Sequence, residues 1–214
     1  AAIPGIWGDD FFSVNVQGTK NIISACKINS VRKLIFTSSP SVVFGDASLE
    51  GVDESIPYPE KYLCDYPHTK ALAEKMVLQA NGNLLSTVAI RPHLIWGPGD
   101  PHLVPRLLDK AQKNKLVQVG DGENKVDIIY IDNAVSAHLL ACKALEGDTN
   151  VSGKAYFVSD GDPVVLWDWI NQLLRQMNKS NVSRKISYNN ALRLGAFLEE
   201  VYGLFGIKRE PPMT

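Results

Sequence analysis

The chain has almost no net charge, few cysteines and histidines, and no long apolar run. Each shortage removes a class of protein. Lys+Arg number 22 against 23 Asp+Glu, a formal net charge of −1, so the basic excess of a dedicated nucleic-acid binder is missing. No stretch approaches the roughly 18–20 apolar residues of a membrane-spanning helix. No basic segment followed by an apolar one is visible as a secretory leader. Cys26, Cys64 and Cys142 are far apart and odd in number. They suit thiols in a reducing, cytoplasmic compartment rather than a disulfide framework. No Cys-x-x-Cys pair occurs, and His68, His93, His102 and His138 lack zinc-ligand spacing, so no metal is expected. What remains is 214 residues, 45% hydrophobic and 21% charged, ordinary values for a globular protein.

Periodicity supplies the elements. A helix is expected from Asp9 or Asp10 to about residue 29, with Phe12, Val16, Ile22, Ile23 and Cys26 at near-helical spacing. Residues 31–36 form a short apolar strand that ends in hydroxyls, Thr37-Ser38-Ser39-Pro40-Ser41. A loop rich in glycine, proline and acids covers 46–64. Residues 65–79 read as a helix stopped by Asn81-Gly82-Asn83, and 84–90 as a second strand ended by Arg91-Pro92-His93. Beyond the breakers Gly97-Pro98-Gly99-Asp100-Pro101 comes a helix at 103–113. Strands at 116–119 and 125–131 flank the turn Gly120-Asp121-Gly122. Asp132-Asn133 can cap a helix to about 145. A strand at 155–158 and helices at 164–176 and 191–207 complete the chain. The strands are continuous apolar runs alternating with helices, which predicts an α/β fold with a parallel sheet covered on both faces. Ligands of such sheets bind beyond the carboxyl ends of the strands. Two of those ends carry chemistry here, Thr37-Ser38-Ser39 and Arg91-Pro92-His93.

Tyr66 and Lys70, four apart on a predicted helix, share one face. A phenol ionises near pH 10 and works poorly at neutral pH, but a nearby ammonium favours the phenolate. With a serine hydroxyl on the same substrate oxygen, such a pair can exchange a proton with an alcohol or ketone while a cofactor exchanges the hydride. The order strand, Thr37-Ser38-Ser39, loop, Tyr66-Pro67-His68-Thr69-Lys70, strand, Arg91-Pro92 resembles the extended short-chain dehydrogenase/reductase family, and within it the 3β-hydroxysteroid dehydrogenase branch. That branch includes sterol-4α-carboxylate 3-dehydrogenases and 2-alkyl-3-oxoalkanoate reductases. Asn15-Val16-Gln17-Gly18-Thr19, the stretches 36–44, 90–100 and 127–134, and Pro211-Pro212-Met213-Thr214 carry the same resemblance.

The resemblance implies a Rossmann-type doubly wound sheet, with residues 1–92 holding the catalytic helix and 93–214 forming a smaller substrate-binding region. It implies NAD or NADP as cofactor. Tyr66 then takes the acid–base role. Lys70 binds the nicotinamide ribose and lowers the phenol's pKa. Ser39 orients the substrate oxygen, with Ser38 and Ser41 as close competitors. Ser38, Pro92 and His93 fall beside the cofactor. Asn15 is either a helix residue near the active site or one that bonds to a neighbouring strand. The family begins with a strand and a Gly-x-x-Gly-x-x-Gly turn that receives the cofactor pyrophosphate. No such turn stands in this sequence, and no Met opens it. The chain therefore reads as a segment of a longer reductase, cut at both ends, with the first three strands absent. Whether the segment alone turns over is open.

Several residues keep two readings. His93 lines the pocket or packs a loop. Arg91 holds a phosphate or pairs with an acid such as Asp127. Trp96 and His102 touch substrate or cover the sheet. Cys64 has no partner base in the sequence and reads as a plain thiol rather than a nucleophile. The apolar 191–207 helix is buried or a lid, or a surface for lipid or a second subunit; the lid or dimer reading suits a large apolar substrate, still a small molecule. Family members dimerise through two helices, here about 10–29 and 65–80, with Phe11, Val14 and Ile22 as contacts. The expected activity is oxidoreduction of a secondary alcohol or ketone on a steroid-like or long-chain 3-hydroxy/3-oxo acid, in steroid or lipid metabolism. Two alternatives stand beside it: a nucleotide-sugar epimerase or dehydratase of the same extended family, and a non-enzymatic binding domain.

Overall fold

The computed structural model describes residues 9–45, 48–147 and 150–204. The strands, in chain order, are β1 (Lys33–Thr37), β2 (Ser86–Pro92), β3 (Leu94–Trp96), β4 (Gln118–Val119), β5 (Lys125–Val126), β6 (Ile128–Tyr130), β7 (Lys154–Val158), β8 (Val164–Val165) and β9 (Lys185–Ile186). The helices are α1 (Asp9–Phe11), running through a π-helical segment (Phe12–Gln17) into α2 (Gly18–Ile28), then α3 (Asp65–Gln79), α4 (Leu103–Gln112), α5 (Ile131–Ala144), α6 (Leu166–Gln176) and α7 (Tyr188–Leu204). Two compact units result: Ala1–Ile95 with Ile129–Asp160, and Trp96–Ile128 with Gly161–Thr214.

The first unit is built on a parallel sheet in the order β1-β2-β7. Its register runs from Lys33↔Ser86 to Thr37↔Ile90, and from Val88↔Lys154 to Pro92↔Val158. Side chains alternate across a strand, and the cores follow that alternation. Leu34 and Phe36 face α2 and α3, packing with Ile23, Cys26, Val77 and Leu85. Ile35, Val88, Ile90, Tyr156 and Val158 pack with Ala141 and Leu145 at the α5 side. The parallel register therefore puts Arg91 and Phe157 on the α3 face. Ala71 and Ala73 are fully buried, and their small side chains let α3 approach the strands closely.

Boundaries moved where backbone groups found other partners. β1 starts after Val31 because the Val31 amide closes the end of α2 on the Cys26 carbonyl at 2.9 Å, past a left-handed Ser30 (φ 55°). Asp132-Asn133 do not cap α5. Asp160, just beyond β7, accepts from the Tyr130 amide at 3.0 Å and from Asn133 Nδ2 at 2.8 Å. A carboxylate at a helix N-terminus suits the helix dipole. Phe11, offered above as a dimer contact, is only 2% exposed.

In the second unit, β4 and β5 flank the turn at 120–122 as expected, and each pairs with a strand distant in sequence. β4 pairs with β9 in parallel, and β5 with β8 antiparallel. The turn between them closes on Gln118, whose Nε2 donates to the Asp121 carbonyl at 2.8 Å. Gly122 (φ 94°) sits where a side chain would collide with Gln118. α7 begins at Tyr188 and buries Ala191 but exposes Leu192, Leu194 and Phe197. Of the readings given above, burial on all sides does not hold for its described part; residues 205–207 and 211–214 lie outside the described residues. Among the described residues no helix is long and apolar enough to cross a membrane.

Leu85 is 1% exposed and joins α2 and α3 in one core. Truncating it leaves a cavity, so Leu85→Ala should cost about 2–5 kcal/mol. Urea unfolding checks this: a loss well under 1 kcal/mol would show that this cluster does not hold the helices to the sheet.

Candidate active site

The Ser38 amide donates to the Ile90 carbonyl at 2.7 Å, extending the β1–β2 ladder to its carboxyl end. There the chain turns. Ser39 is extended, and a short 3₁₀ turn (Pro40–Val43) opens on its hydroxyl, which accepts from the Ser41 amide at 3.2 Å. The Ser39 and Ser41 hydroxyls lie 2.8 Å apart. Val42 and Val43 anchor the turn in a core with Ala71 of α3.

On α3, Tyr66, Lys70 and Glu74 follow at helical spacing along one face. The Ser39 hydroxyl is near enough to the Tyr66 phenol to act on its pKa, so the strand end and the helix approach each other there. Phe11 packs edge-on against the Tyr66 ring at 6.1 Å. Lys70 is 8% exposed. Its Nζ donates to the Thr37 carbonyl at 2.6 Å and lies 4.4 Å from the Phe36 ring centroid. Asn15 sits in the π-helical segment, a geometry common at functional sites. Its Nδ2 donates to Thr69 Oγ1 at 3.0 Å, and the Thr69 hydroxyl turns to the Asp65 and Tyr66 carbonyls at 2.8 and 3.1 Å. Asn15 therefore reaches the backbone of the Tyr66 turn, not a strand.

Burial pushes the Tyr66 phenol above its ordinary value, and the Ser39 hydroxyl opposes that rise. Burial also pushes the Lys70 ammonium down, to about 8, against the pull of Glu74. Lys70 directs its charge at a carbonyl of β1 in this state.

Arg91 is buried and pairs with an acid, Glu74. Its Nε and Nη2 hold both oxygens of Glu74, at 3.0 and 2.6 Å. Tyr58 adds a third bond, its hydroxyl donating to Glu74 Oε1 at 2.5 Å. Glu74 and Tyr58 were missed in the sequence, although Glu74 is the next residue in the four-residue series after Tyr66 and Lys70. Pro92 ends β2 opposite Val158. The His93 amide donates to the Val158 carbonyl at 3.0 Å, and its ring lies 5.8 Å from that of Phe157. Trp96 and His102 belong to the second unit. Trp96 packs edge-on against Trp169 at 5.8 Å, and the His102 amide donates to Asp100 Oδ1 at 2.8 Å, which caps α4.

Do these residues fit the ribose and nicotinamide end of a dinucleotide? Among the described residues the buried Ser38 hydroxyl has no hydrogen-bond partner. An ammonium has three donors, and Thr37 takes one from Lys70. An orphaned hydroxyl and a cation with donors to spare, beside a phenol, suit a polyhydroxyl ring with an amide neighbour.

The lowered Lys70 value links to stability. Between about pH 8 and its ordinary 10.5, the unfolded chain holds a proton that the folded chain has lost. Stability therefore rises with pH through that window. Relative to Lys70→Met, the protein should gain on the order of 2–3 kcal/mol between pH 7.5 and 10.5. Parallel urea midpoints for the two proteins across that range would contradict the burial of this charge.

Residues 4–187 match the 3-beta hydroxysteroid dehydrogenase/isomerase family. A 2-alkyl-3-oxoalkanoate reductase of Stenotrophomonas maltophilia is 45% identical over 98% of this chain and 65% of its own length. A decarboxylating sterol-4-alpha-carboxylate 3-dehydrogenase of Mus musculus is 42% identical over 88% of this chain and 52% of that protein. The chain thus spans about half to two thirds of the curated relatives it matches. Among solved structures, a UDP-glucuronic acid 4-epimerase of Bacillus cereus in complex with NAD superposes with a TM-score of 0.70 at 28% identity, covering 87% of this chain and 61% of the epimerase. The fold is the Rossmann-type α/β architecture of these proteins, and the chain belongs to the 3-beta hydroxysteroid dehydrogenase/isomerase family.

Proposed function

We propose that the protein is an NAD(P)-dependent oxidoreductase that interconverts a secondary alcohol and a ketone, with Tyr66 as acid and base. One observation supports the reading: the Ser39 hydroxyl at the carboxyl end of the sheet is near enough to the Tyr66 phenol to oppose the rise in its pKa, with Lys70 one turn along the same helix face. The nicotinamide supplies or accepts the hydride at the carbinol carbon when it is bound. In the reducing direction the Tyr66 hydroxyl gives its proton to the substrate oxygen, and the Ser39 hydroxyl donates a hydrogen bond to that oxygen. The reverse direction returns the proton to the phenolate. Lys70, released from Thr37, would hold the ribose hydroxyls, and its charge would favour the phenolate. Ser38 and the turn at Pro92 and His93 would border the nicotinamide.

The names of the relatives narrow the substrate. A 2-alkyl-3-oxoalkanoate and a sterol-4-alpha-carboxylate oxidised at carbon 3 share one arrangement, an oxygen-bearing carbon next to a substituted carbon that carries a carboxylate. An α-substituted 3-hydroxy or 3-oxo acid with a large apolar body is therefore the substrate class. Ser41, in the first unit, is a candidate substrate contact, and in the second unit Trp96 and His102 are the candidates. Identity of 45% to the reductase against 28% to the UDP-sugar epimerase favours this over sugar-nucleotide chemistry. Exposed Ile22 and Ile28 on α2 support a homodimer through that helix. Three cysteines in no disulfide support a cytoplasmic location.

Turnover of a 2-alkyl-3-oxo acid, a 4-carboxysterol and a UDP-sugar with NAD(H) and NADP(H) tests the reading. The acids should react and the UDP-sugar should not. Tyr66→Phe should lower kcat by about 10²–10⁴-fold with an unchanged circular dichroism spectrum. Wild-type turnover by that variant would remove Tyr66 from the chemistry, and turnover of the UDP-sugar alone would overturn the substrate class.

A further inference from the structure

A buried ion pair is a weak source of stability, because desolvating two charges offsets most of their attraction. Glu74 is 0% exposed and Arg91 3%, so an apolar pair would bind helix to strand at least as well. What the two-bonded arrangement adds is geometry, since a guanidinium gripping both carboxylate oxygens fixes one relative placement. Arg91 lies at the end of β2 just before Pro92, and Glu74 lies one turn beyond Lys70 and two beyond Tyr66. A slip of α3 along the sheet would break this grip and move all three residues.

The same pair fastens the segment that precedes the catalytic helix. Tyr58 bonds Glu74, and the Arg91 guanidinium sits 5.7 Å from the Tyr58 ring and 5.0 Å from that of Phe157. Lys75 covers the Tyr58 ring at 4.3 Å. On either side, Glu54 accepts from the Phe157 amide of the outer strand β7 at 2.8 Å, and the Tyr62 hydroxyl donates to the Val42 carbonyl at 3.0 Å. Leu49, Ile56, Tyr58 and Tyr62 pack on Val42, Val43 and Ala71.

We propose that Glu74 and Arg91, locked by Tyr58, are positioning residues: they set α3, with Tyr66 and Lys70 on it, against the sheet, and strap residues 54–62 to that helix. The inference rests on the roles given above to Tyr66 and Lys70. A charge part follows from what surrounds Lys70. Tyr66 and Glu74 face it from α3. The Thr37 carbonyl meets it from β1, and the same Thr37 hydroxyl bonds His138 of α5 at 2.9 Å. Arg91 of β2 and Tyr58 stand behind Glu74. Glu74 is the anion of that set that opposes the burial of Lys70.

Carbon-13 NMR of lysine side chains in the full chain, with Lys70 assigned by Lys70→Arg, reads the charge part. Trypsin cleavage after the exposed Lys61 reads the strap. In Glu74→Gln the Lys70 titration should move down by about one pH unit. In Tyr58→Phe it should stay in place while cleavage quickens about tenfold. An unmoved Lys70 in a folded Glu74→Gln protein, or wild-type cleavage of Tyr58→Phe, overturns the proposal. If Glu74→Gln does not fold, the Tyr58→Phe cleavage rate decides alone. Neither readout needs turnover, so their failure leaves the Tyr66 assay standing, and failure of that assay leaves these readouts intact.

Discussion

Lys70 carries a positive charge into the seam between a helix and a sheet, where little water reaches it. Burial of that kind is unfavourable unless polar partners surround the charge. Here the partners are a backbone carbonyl at the end of β1, the face of Phe36 and the carboxylate of Glu74. Thr37 and Phe36 lie on β1, and Glu74 shares α3 with Lys70 and ties that helix to β2 through Arg91. The demands of one ammonium therefore specify where the helix must lie. Tyr66, one turn earlier, is brought to Ser39 by the same placement.

The parallel sheet supplies the rest. Strand alternation puts Leu34 and Phe36 on the α3 side, and the register carries Arg91 and Phe157 to that side too. Ser38 is the last residue of β1's ladder to bond β2, through its amide to Ile90. Beyond it the backbone is free to turn and aim hydroxyls at the helix. The site thus lies where strand pairing ends, the region in which such sheets bind ligands.

Much of this was legible in the sequence. The 65–79 helix was read to the residue because a strong stop follows it, and Tyr66, Lys70 and the serines lie on elements with clear patterns. The parallel sheet followed from apolar runs alternating with helices. Long-range polar pairing was not legible. Arg91 had several acids to choose from, and only the register of β2 against α3 selects Glu74. The start of α5 was misread for a similar reason: the helix begins before Asp132, and Asp160, distant in sequence, takes the Tyr130 amide and Asn133 Nδ2. The partners of the two strands flanking the 120–122 turn were not legible either, because each strand is too short for its pattern to reveal one. Phe11 looked like a contact for another subunit, yet Tyr66 of the same chain packs against it.

The central claim is that Tyr66 and Ser39 together meet the oxygen of a substrate alcohol or ketone. A crystal structure of the protein with a nicotinamide dinucleotide and an α-substituted 3-oxo acid tests it most directly. The account predicts the substrate oxygen within hydrogen-bond distance of both Tyr66 Oη and Ser39 Oγ, with Lys70 Nζ moved from the Thr37 carbonyl to the ribose. A substrate oxygen held by other side chains, with Lys70 still on Thr37, would contradict it.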